Sequence, residues 1–166
     1  MTTVADFSWP VRVYYEDTDN GGVVYYANYL KFMERARTEW LRARGVEQDL
    51  LAAQEGLIFA VRSAQLDYLK PGRFNQLLSV GVSVAEVGKA SLTFEQAVVV
   101  ANGDKLLGRD SPNSQTINSI TNLTTEEEES GLLLCQGKIR IACLDANTFT
   151  PRAIPSSIRQ EILGDG

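Results

Sequence analysis

Residues 13–44, VYYEDTDNGGVVYYANYLKFMERARTEWLRAR, constrain the fold of this chain more than any other stretch. They pass from a short alternating strand, through a turn rich in carboxylates and glycines, into the longest amphipathic helix pattern in the sequence. Apolar residues recur there at steps of three and four, which places them on one helix face that a sheet or another helix must cover. These residues are Tyr29, Phe32, Met33, Ala36, Trp40 and Leu41.

The opposite side of this predicted helix is charged, and its N-terminal end follows a cluster of acidic residues. Glu34 precedes Arg37 by three residues, a spacing that predicts an ion pair on the helix face. Glu16, Asp17 and Asp19 lie just before the first turn of the helix, where the helix dipole is positive. Acidic groups next to that positive end are the first indication of function.

The remaining residues predict one antiparallel sheet packed on this helix. Strands are predicted at 9–15, 59–69, 76–87, 89–101 and 132–144, after an arm at 1–7. Helices are predicted at 26 or 28 to 44, at 47–54 and at 156–163, with Gly45 as a C-terminal cap. The order favours a single α+β domain over residues 1–166, with about five strands wrapped around one long helix. A lone helix cannot cover both faces of such a sheet, so we expect a homo-oligomer, a dimer or a higher assembly.

Residues 107–130 interrupt the strand pattern with a polar segment. Serine, threonine and asparagine dominate it, and Glu126 to Glu129 are consecutive. Such a composition buries too little apolar surface to order itself, so a mobile insertion within a hairpin is expected. A tolerated loop insertion and a regulatory or docking segment both remain open.

Composition and charge exclude several classes of protein. The 166 residues carry a net charge of −5, with a pI of about 4.8, and contain no basic block, which argues against a nucleic-acid surface. No apolar run is long enough to span a membrane, and the first ten residues do not resemble a signal peptide. We therefore expect a cytoplasmic location.

The chain contains no histidine, which excludes Ser-His-Asp and Cys-His catalysis and nearly all catalytic zinc sites. Cys135 and Cys143 lie eight residues apart in one predicted strand. The rise of a strand separates them by about 26 Å, which is too far for a disulfide. Both are expected to be reduced packing residues. Catalysis would have to come from carboxylates, hydroxyls, backbone dipoles or cations.

The acidic turn and the helix start together suggest acyl-transfer chemistry. Gly21 and Gly22 let the backbone approach a ligand closely, and the unpaired N–H groups near Tyr26, Ala27 and Asn28 can stabilise an oxyanion. Asp19 is within reach of that point, as a nucleophile or as the base for a water molecule. Such a pair suits an activated ester such as a thioester. Two alternatives remain open: a surface turn whose aspartates only bond the backbone, and a metal site built on Glu16, Asp17 and Asp19.

The segment VYYEDTDNGGVVYYANYLKFMERARTEWLR resembles the signature of the YbgC group of acyl-CoA thioesterases, in the 4-hydroxybenzoyl-CoA thioesterase branch of the hotdog-fold superfamily. The opening WPVRV and the closing PRAIP resemble the same group, so the similarity spans nearly the whole chain outside residues 107–130. It implies a hotdog fold, sheets joined edge to edge in dimers or tetramers, and hydrolysis of an acyl-CoA. We expect this reaction to need neither a metal nor a bound cofactor. The family's catalytic aspartate falls on Asp19, and its oxyanion-binding N–H falls on Tyr26.

The resemblance also indicates which residues bind the substrate. Lys89, in the turn Gly88–Ser91, lies where similar enzymes place cations for the CoA phosphates, although a solvated turn residue is the alternative. We assign substrate binding to Gly22, Tyr25, Lys89 and Ser91. The YbgC group usually has histidine at position 26, whereas Tyr26 and its aromatic neighbour resemble the hydroxybenzoyl-CoA enzymes. A different class, a non-catalytic acyl-CoA-binding or scaffolding hotdog protein, remains the alternative function.

Overall fold

The computed structural model describes residues 5–101 and 131–164, so the predicted insertion at 107–130 lies outside the described residues. The strands are β1 Phe7–Arg12, β2 Leu57–Tyr68, β3 Leu77–Val87, β4 Ser91–Val100 and β5 Leu133–Asp145. The helices are α1 Asn28–Ala43, α2 Gln48–Glu55 and α3 Ser156–Leu163, and a 3-10 turn spans Tyr15–Asp17. The predicted order of strands and helices is confirmed.

All five strands form one antiparallel sheet in the order β1-β3-β4-β5-β2. The β3–β4 hairpin is closed at Gly88, whose N–H donates to the carbonyl of Ser91 at 2.8 Å. The 12-residue strand β2 crosses to the far edge and, among the described strands, pairs only with β5. The expected α+β architecture, with five strands around one dominant helix, is therefore confirmed.

Helix α1 covers one face of the sheet with its apolar stripe. Phe32, Met33, Ala36 and Trp40 are at most 1 % exposed, and the ring of Trp40 meets that of Phe94 edge-on at 5.2 Å. On β3, buried Leu78, Val80 and Val82 face this core. The helix ends as predicted, since Gly45 follows it with a φ of +79°.

The strand predicted at 9–15 is shifted in the structure. It begins two residues earlier, where Phe7 pairs with Val82, and it ends at Arg12. The carboxylate of Asp17 accepts the N–H of Tyr14 at 2.8 Å, so the chain turns there instead of continuing the sheet. Local hydrogen bonding by an aspartate thus competes with strand pairing.

The predicted Glu34–Arg37 ion pair is wrong. Arg37 is only 7 % exposed and donates to Oε1 of Gln96 on β4 at 2.9 Å, while Gln96 donates to the carbonyl of Met33. Glu34 instead accepts the hydroxyl of Thr38. Burial lowers the pKa of Arg37, and the nearby charge of Glu34 opposes that shift. The partner of Arg37 comes from the sheet, and a rule based on spacing within a helix cannot predict it.

Both cysteines are free and buried, as expected. Burial raises the pKa of Cys135 to about 12 and also raises that of Cys143, so neither thiol is activated. Within the described residues, no helix is long and apolar enough to cross a membrane.

Replacing Phe94 with alanine should lower the free energy of unfolding by about 3–5 kcal/mol, because it leaves a cavity beneath Trp40. Urea denaturation followed by circular dichroism measures the change. Leu163→Ala is the control, since this side chain is 59 % exposed. The control should alter stability by less than about 0.5 kcal/mol. Equal losses from both variants would contradict the assignment of Phe94 to the core.

Candidate active site

The turn between β1 and α1 is closed by the buried carboxylate of Asp17. Its Oδ2 accepts the N–H of Tyr14 at 2.8 Å, and its Oδ1 accepts Nδ2 of Asn28, the first residue of α1, at 3.0 Å. The carbonyl of Asp17 accepts the N–H of Tyr25 at 2.8 Å. Asp17 therefore fixes the position of the turn relative to the helix start, and both of its carboxylate oxygens are occupied.

Asp19 differs from Asp17 because its side chain is exposed. Its Oδ1 accepts the N–H of Gly21 at 2.8 Å, and within the described residues Oδ2 accepts no hydrogen bond. The loop closes when Gly22, with a φ of +75°, donates its N–H to the carbonyl of Asp19 at 3.0 Å. A Cβ at Gly21 would lie 3.2 Å from Oδ1 of Asp19, so glycine there preserves the position of the carboxylate.

The helix start leaves two backbone N–H groups free of partners within the described residues. The N–H of Asn28 is not one of them, contrary to the sequence prediction, because it donates to the carbonyl of Tyr25 at 2.8 Å. The N–H groups of Tyr26 and Ala27 donate to no group in the described part of the chain. They precede a 16-residue helix, whose dipole makes this end electropositive.

Asp19 and Tyr26 line the same open cleft, of about 330 Å³. Its remaining walls are mainly apolar and aromatic, and they come from the segment before α1, from α1 itself and from the end of β2. The lining residues are Asp19, Val23, Val24, Tyr26, Tyr29, Tyr68, Leu69, Lys70 and Pro71. The structure thus brings the predicted carboxylate and the helix start to one small cavity.

Two tyrosines fix the aromatic wall of this cleft. The hydroxyl of buried Tyr29 accepts the N–H of Gly72 at 3.0 Å, and the hydroxyl of Tyr68 donates to the carbonyl of Tyr26 at 3.1 Å. Burial raises the pKa of both tyrosines above the ordinary value, although the Gly72 N–H lowers that of Tyr29. Both hydroxyls therefore keep their protons at neutral pH.

The predicted substrate-binding residues are not all brought together. Gly22 adjoins Asp19, and the ring of Tyr25 lies 4.8 Å from that of Tyr26, although neither residue lines the cleft. A hydrogen bond with Tyr26 raises the pKa of Tyr25. Lys89 and Ser91 lie beyond the opposite end of the 11-residue strand β3. The rise of a strand of that length places Lys89 and Ser91 roughly 33 Å from the end of the sheet that carries Asp19 and the cleft.

Arg159 holds the hairpin that carries Lys89. Its Nη2 donates to the carbonyls of Gly88, at 2.8 Å, and Lys89, at 3.3 Å, and the N–H of Ile154 also donates to the Lys89 carbonyl. Lys89 itself is exposed, and it forms no ion pair within the described residues. Helix α3 and the segment before it thus fix the backbone of this turn and leave the ammonium group of its lysine unpaired.

A larger concavity, of about 580 Å³, lies on the sheet face away from α1. Small side chains such as Ser79 and Ala97 line it, beside Glu95 and Lys138, which oppose each other on β4 and β5. None of the predicted site residues lines it. Among the described residues, no cluster of three histidine, cysteine or acidic side chains could hold a metal ion.

Sequence reasoning named Asp17 but missed its anchoring role, and it missed Tyr68 altogether. The anchoring role of Asp17 depends on Asn28, eleven residues away, and Tyr68 contacts Tyr26 across forty-two residues. For Asp17, the only signal was its place in an acidic turn before a helix. For Tyr68, the only signal was an aromatic residue at the end of a strand, just before the Lys70-Pro71-Gly72 turn.

Comparison with known proteins defines the class of this chain. Residues 21–107 match the thioesterase superfamily. The chain therefore belongs to the thioesterase superfamily, a class of thioester hydrolases.

The relatives place it more narrowly, as a YbgC-like member. It is 35 % identical over 153 residues to the acyl-CoA thioesterase YbgC of Haemophilus influenzae, covering 92 % of this chain and 91 % of the relative. It is 36 % identical over 155 residues to the acyl-CoA thioester hydrolase YbgC of Escherichia coli, covering 93 % and 94 %. The fold is shared with a 1,4-dihydroxy-2-naphthoyl-CoA thioesterase from Synechocystis, at a TM-score of 0.73, 17 % identity and 95 % coverage of each chain. The predicted hotdog fold is confirmed.

The two aspartates of the turn should respond differently to substitution. Asp17→Ala removes two hydrogen bonds to a carboxylate and leaves the buried side-chain amide of Asn28 without this partner. It should therefore lower the free energy of unfolding by about 3 kcal/mol. Asp19→Ala, at an exposed position, should cost less than about 1 kcal/mol. Urea denaturation measures both, and a larger loss for Asp19 would contradict these roles.

Proposed function

We propose that this chain hydrolyses an acyl-CoA thioester to a free acid and CoA, with Asp19 and the backbone N–H of Tyr26 as the catalytic groups. The observation that carries the proposal is that both residues line one cleft. The relatives named acyl-CoA thioesterase, similar over more than nine-tenths of the chain, support the substrate class.

In this proposal, the cleft polarises the thioester carbonyl at the helix start. The carbonyl oxygen accepts the N–H of Tyr26, and the helix dipole stabilises the negative charge that develops there. Asp19, whose Oδ2 is free of hydrogen bonds within the described residues, either takes a proton from an attacking water or attacks the carbonyl carbon itself. In both routes the C–S bond breaks, the thiolate of CoA leaves, and one water molecule is consumed overall.

The role of Tyr26 in this proposal belongs to its main chain. Its side chain is 61 % exposed, and its N–H is available at the electropositive end of α1. A histidine side chain is therefore not required at this position for oxyanion binding. The cleft is small and bounded by Tyr29 and Tyr68, so it holds the acyl end of a substrate, while the CoA extends outward over the surface.

The active form in this proposal is a homo-oligomer joined along β2. Within the described residues, the outer edge of this strand pairs with no other strand, and the exposed apolar side chain of Val61 lies on it. Within one copy, Lys89 is too far from Asp19 to bind the same CoA. A second copy could bring its own Lys89 and Ser91 to the phosphates, with Gly22 and Tyr25 beside the acyl end.

Asp19→Asn tests the proposed site. Asparagine is nearly isosteric but provides neither a base nor a carboxylate nucleophile, so kcat should fall by about 100-fold or more while the fold is retained. The measurement is thiol release across a panel of aliphatic and aromatic acyl-CoA substrates, with circular dichroism to monitor the fold. Asp49→Asn, at an exposed aspartate on α2, is the matched control and should keep wild-type turnover.

Near wild-type turnover by Asp19→Asn would overturn the assignment of the site. Binding of acyl-CoA by the wild-type chain without thiol release would favour the non-catalytic alternative instead. Labelled water in a single turnover separates the two routes, since the label enters the aspartate first only when Asp19 attacks the carbonyl.

A further inference from the structure

Tyr68 joins the edge strand to the start of α1, and the reaction proposed above gives its hydroxyl no role. It is the last residue of β2, forty-two residues from Tyr26 in sequence, and its hydroxyl donates to the Tyr26 carbonyl at 3.1 Å. Its ring stands edge-on to that of Tyr26, with centroids 6.2 Å apart, and lies 5.7 Å from that of Tyr29. All three tyrosines line the cleft that contains Asp19.

The backbone at Tyr26 needs this support because it lies outside the regular helix. Helix α1 begins at Asn28, so its hydrogen-bond ladder does not hold Tyr26 in place. Within the described residues, the bond from Tyr68 is the only hydrogen bond made by the main chain of Tyr26. The Tyr26 N–H shares a peptide plane with the Tyr25 carbonyl, which accepts the N–H of Asn28, and the bond from Tyr68 fixes the next plane. Together the two bonds restrict the φ and ψ angles of Tyr26 and the direction of its N–H.

The other side of Tyr68 is rigid. Tyr29 is 3 % exposed and accepts the N–H of Gly72, where a Cβ would lie 3.0 Å from the Tyr29 hydroxyl. The ring of Tyr68 therefore packs against the fixed ring of Tyr29, while its hydroxyl binds the carbonyl of Tyr26 just before the helix. Burial raises the pKa of Tyr68, so the hydroxyl remains a donor over the whole neutral range.

We propose that Tyr68 is a positioning residue: through the Tyr26 carbonyl, it holds the Tyr26 N–H in the orientation that receives the carbonyl oxygen of the thioester. This inference rests on the proposed function. In this inference, the hydroxyl contributes to stabilisation of the transition state, in which the oxyanion develops. It does not contribute to binding of the substrate in its ground state. Loss of the hydroxyl should then change kcat and leave KM in place.

Tyr68→Phe is the test, because phenylalanine keeps the ring and the cleft wall and removes only the hydroxyl. With the best acyl-CoA of the panel, kcat should fall about fivefold, the value of one neutral hydrogen bond, with KM unchanged. Tyr15→Phe is the matched control. This tyrosine is 78 % exposed, does not line the cleft, and should keep wild-type kcat and KM.

Each outcome has a distinct meaning. Wild-type kcat in Tyr68→Phe overturns the positioning role, and so does a rise in KM with kcat unchanged, which would assign the hydroxyl to substrate binding. An equal fall in kcat in Tyr15→Phe also overturns it, since loss of any tyrosine hydroxyl would then have the same effect. A wild-type chain that releases no thiol from any substrate overturns the proposed function itself, and this inference with it.

Discussion

The buried carboxylate of Asp17 is the interaction on which the candidate site depends. It joins the end of β1, through the N–H of Tyr14, to the first residue of α1, through the side chain of Asn28. Because the apolar stripe of α1 fixes the helix on the sheet, this carboxylate transfers that fixed position to the glycine turn. Asp19 then emerges at a defined place beside the helix start, and the buried carboxylate that holds it there accepts a hydrogen bond on each oxygen.

Much of this arrangement could be predicted from the sequence, because the information is local. The three- and four-residue spacing identified α1, the change to period two identified the strands, and the run from Asp17 to Tyr26 placed a carboxylate near a helix start. The partners from other strands could not be predicted. Gln96 binds Arg37 and Tyr68 binds Tyr26 only because of the sheet order, in which β2 crosses to the far edge.

The distance between Asp19 and Lys89 gives the sheet a functional meaning. The length of one strand, β3, separates the two ends of the sheet. A turn of aspartate and glycine residues forms one end, and a hairpin whose carbonyls accept hydrogen bonds from Arg159 forms the other. In the proposed enzyme, a substrate long enough to need both an acyl cleft and a cation must find them on separate copies of the chain. Catalysis and assembly are linked there for this reason.

Because Tyr29 is anchored, one wall of the cleft does not tolerate substitution, whereas the wall formed by Tyr26 does. Tyr29 is enclosed by the core and tied to Gly72, where any added carbon would also meet Val24 and Leu134. Tyr26, by contrast, contributes a side chain that is mostly in solvent, and its position in the chain is set by backbone contacts. In the proposed enzyme, the residue at position 26 can therefore be exchanged to change the acyl preference, without disturbing the packing on which folding depends.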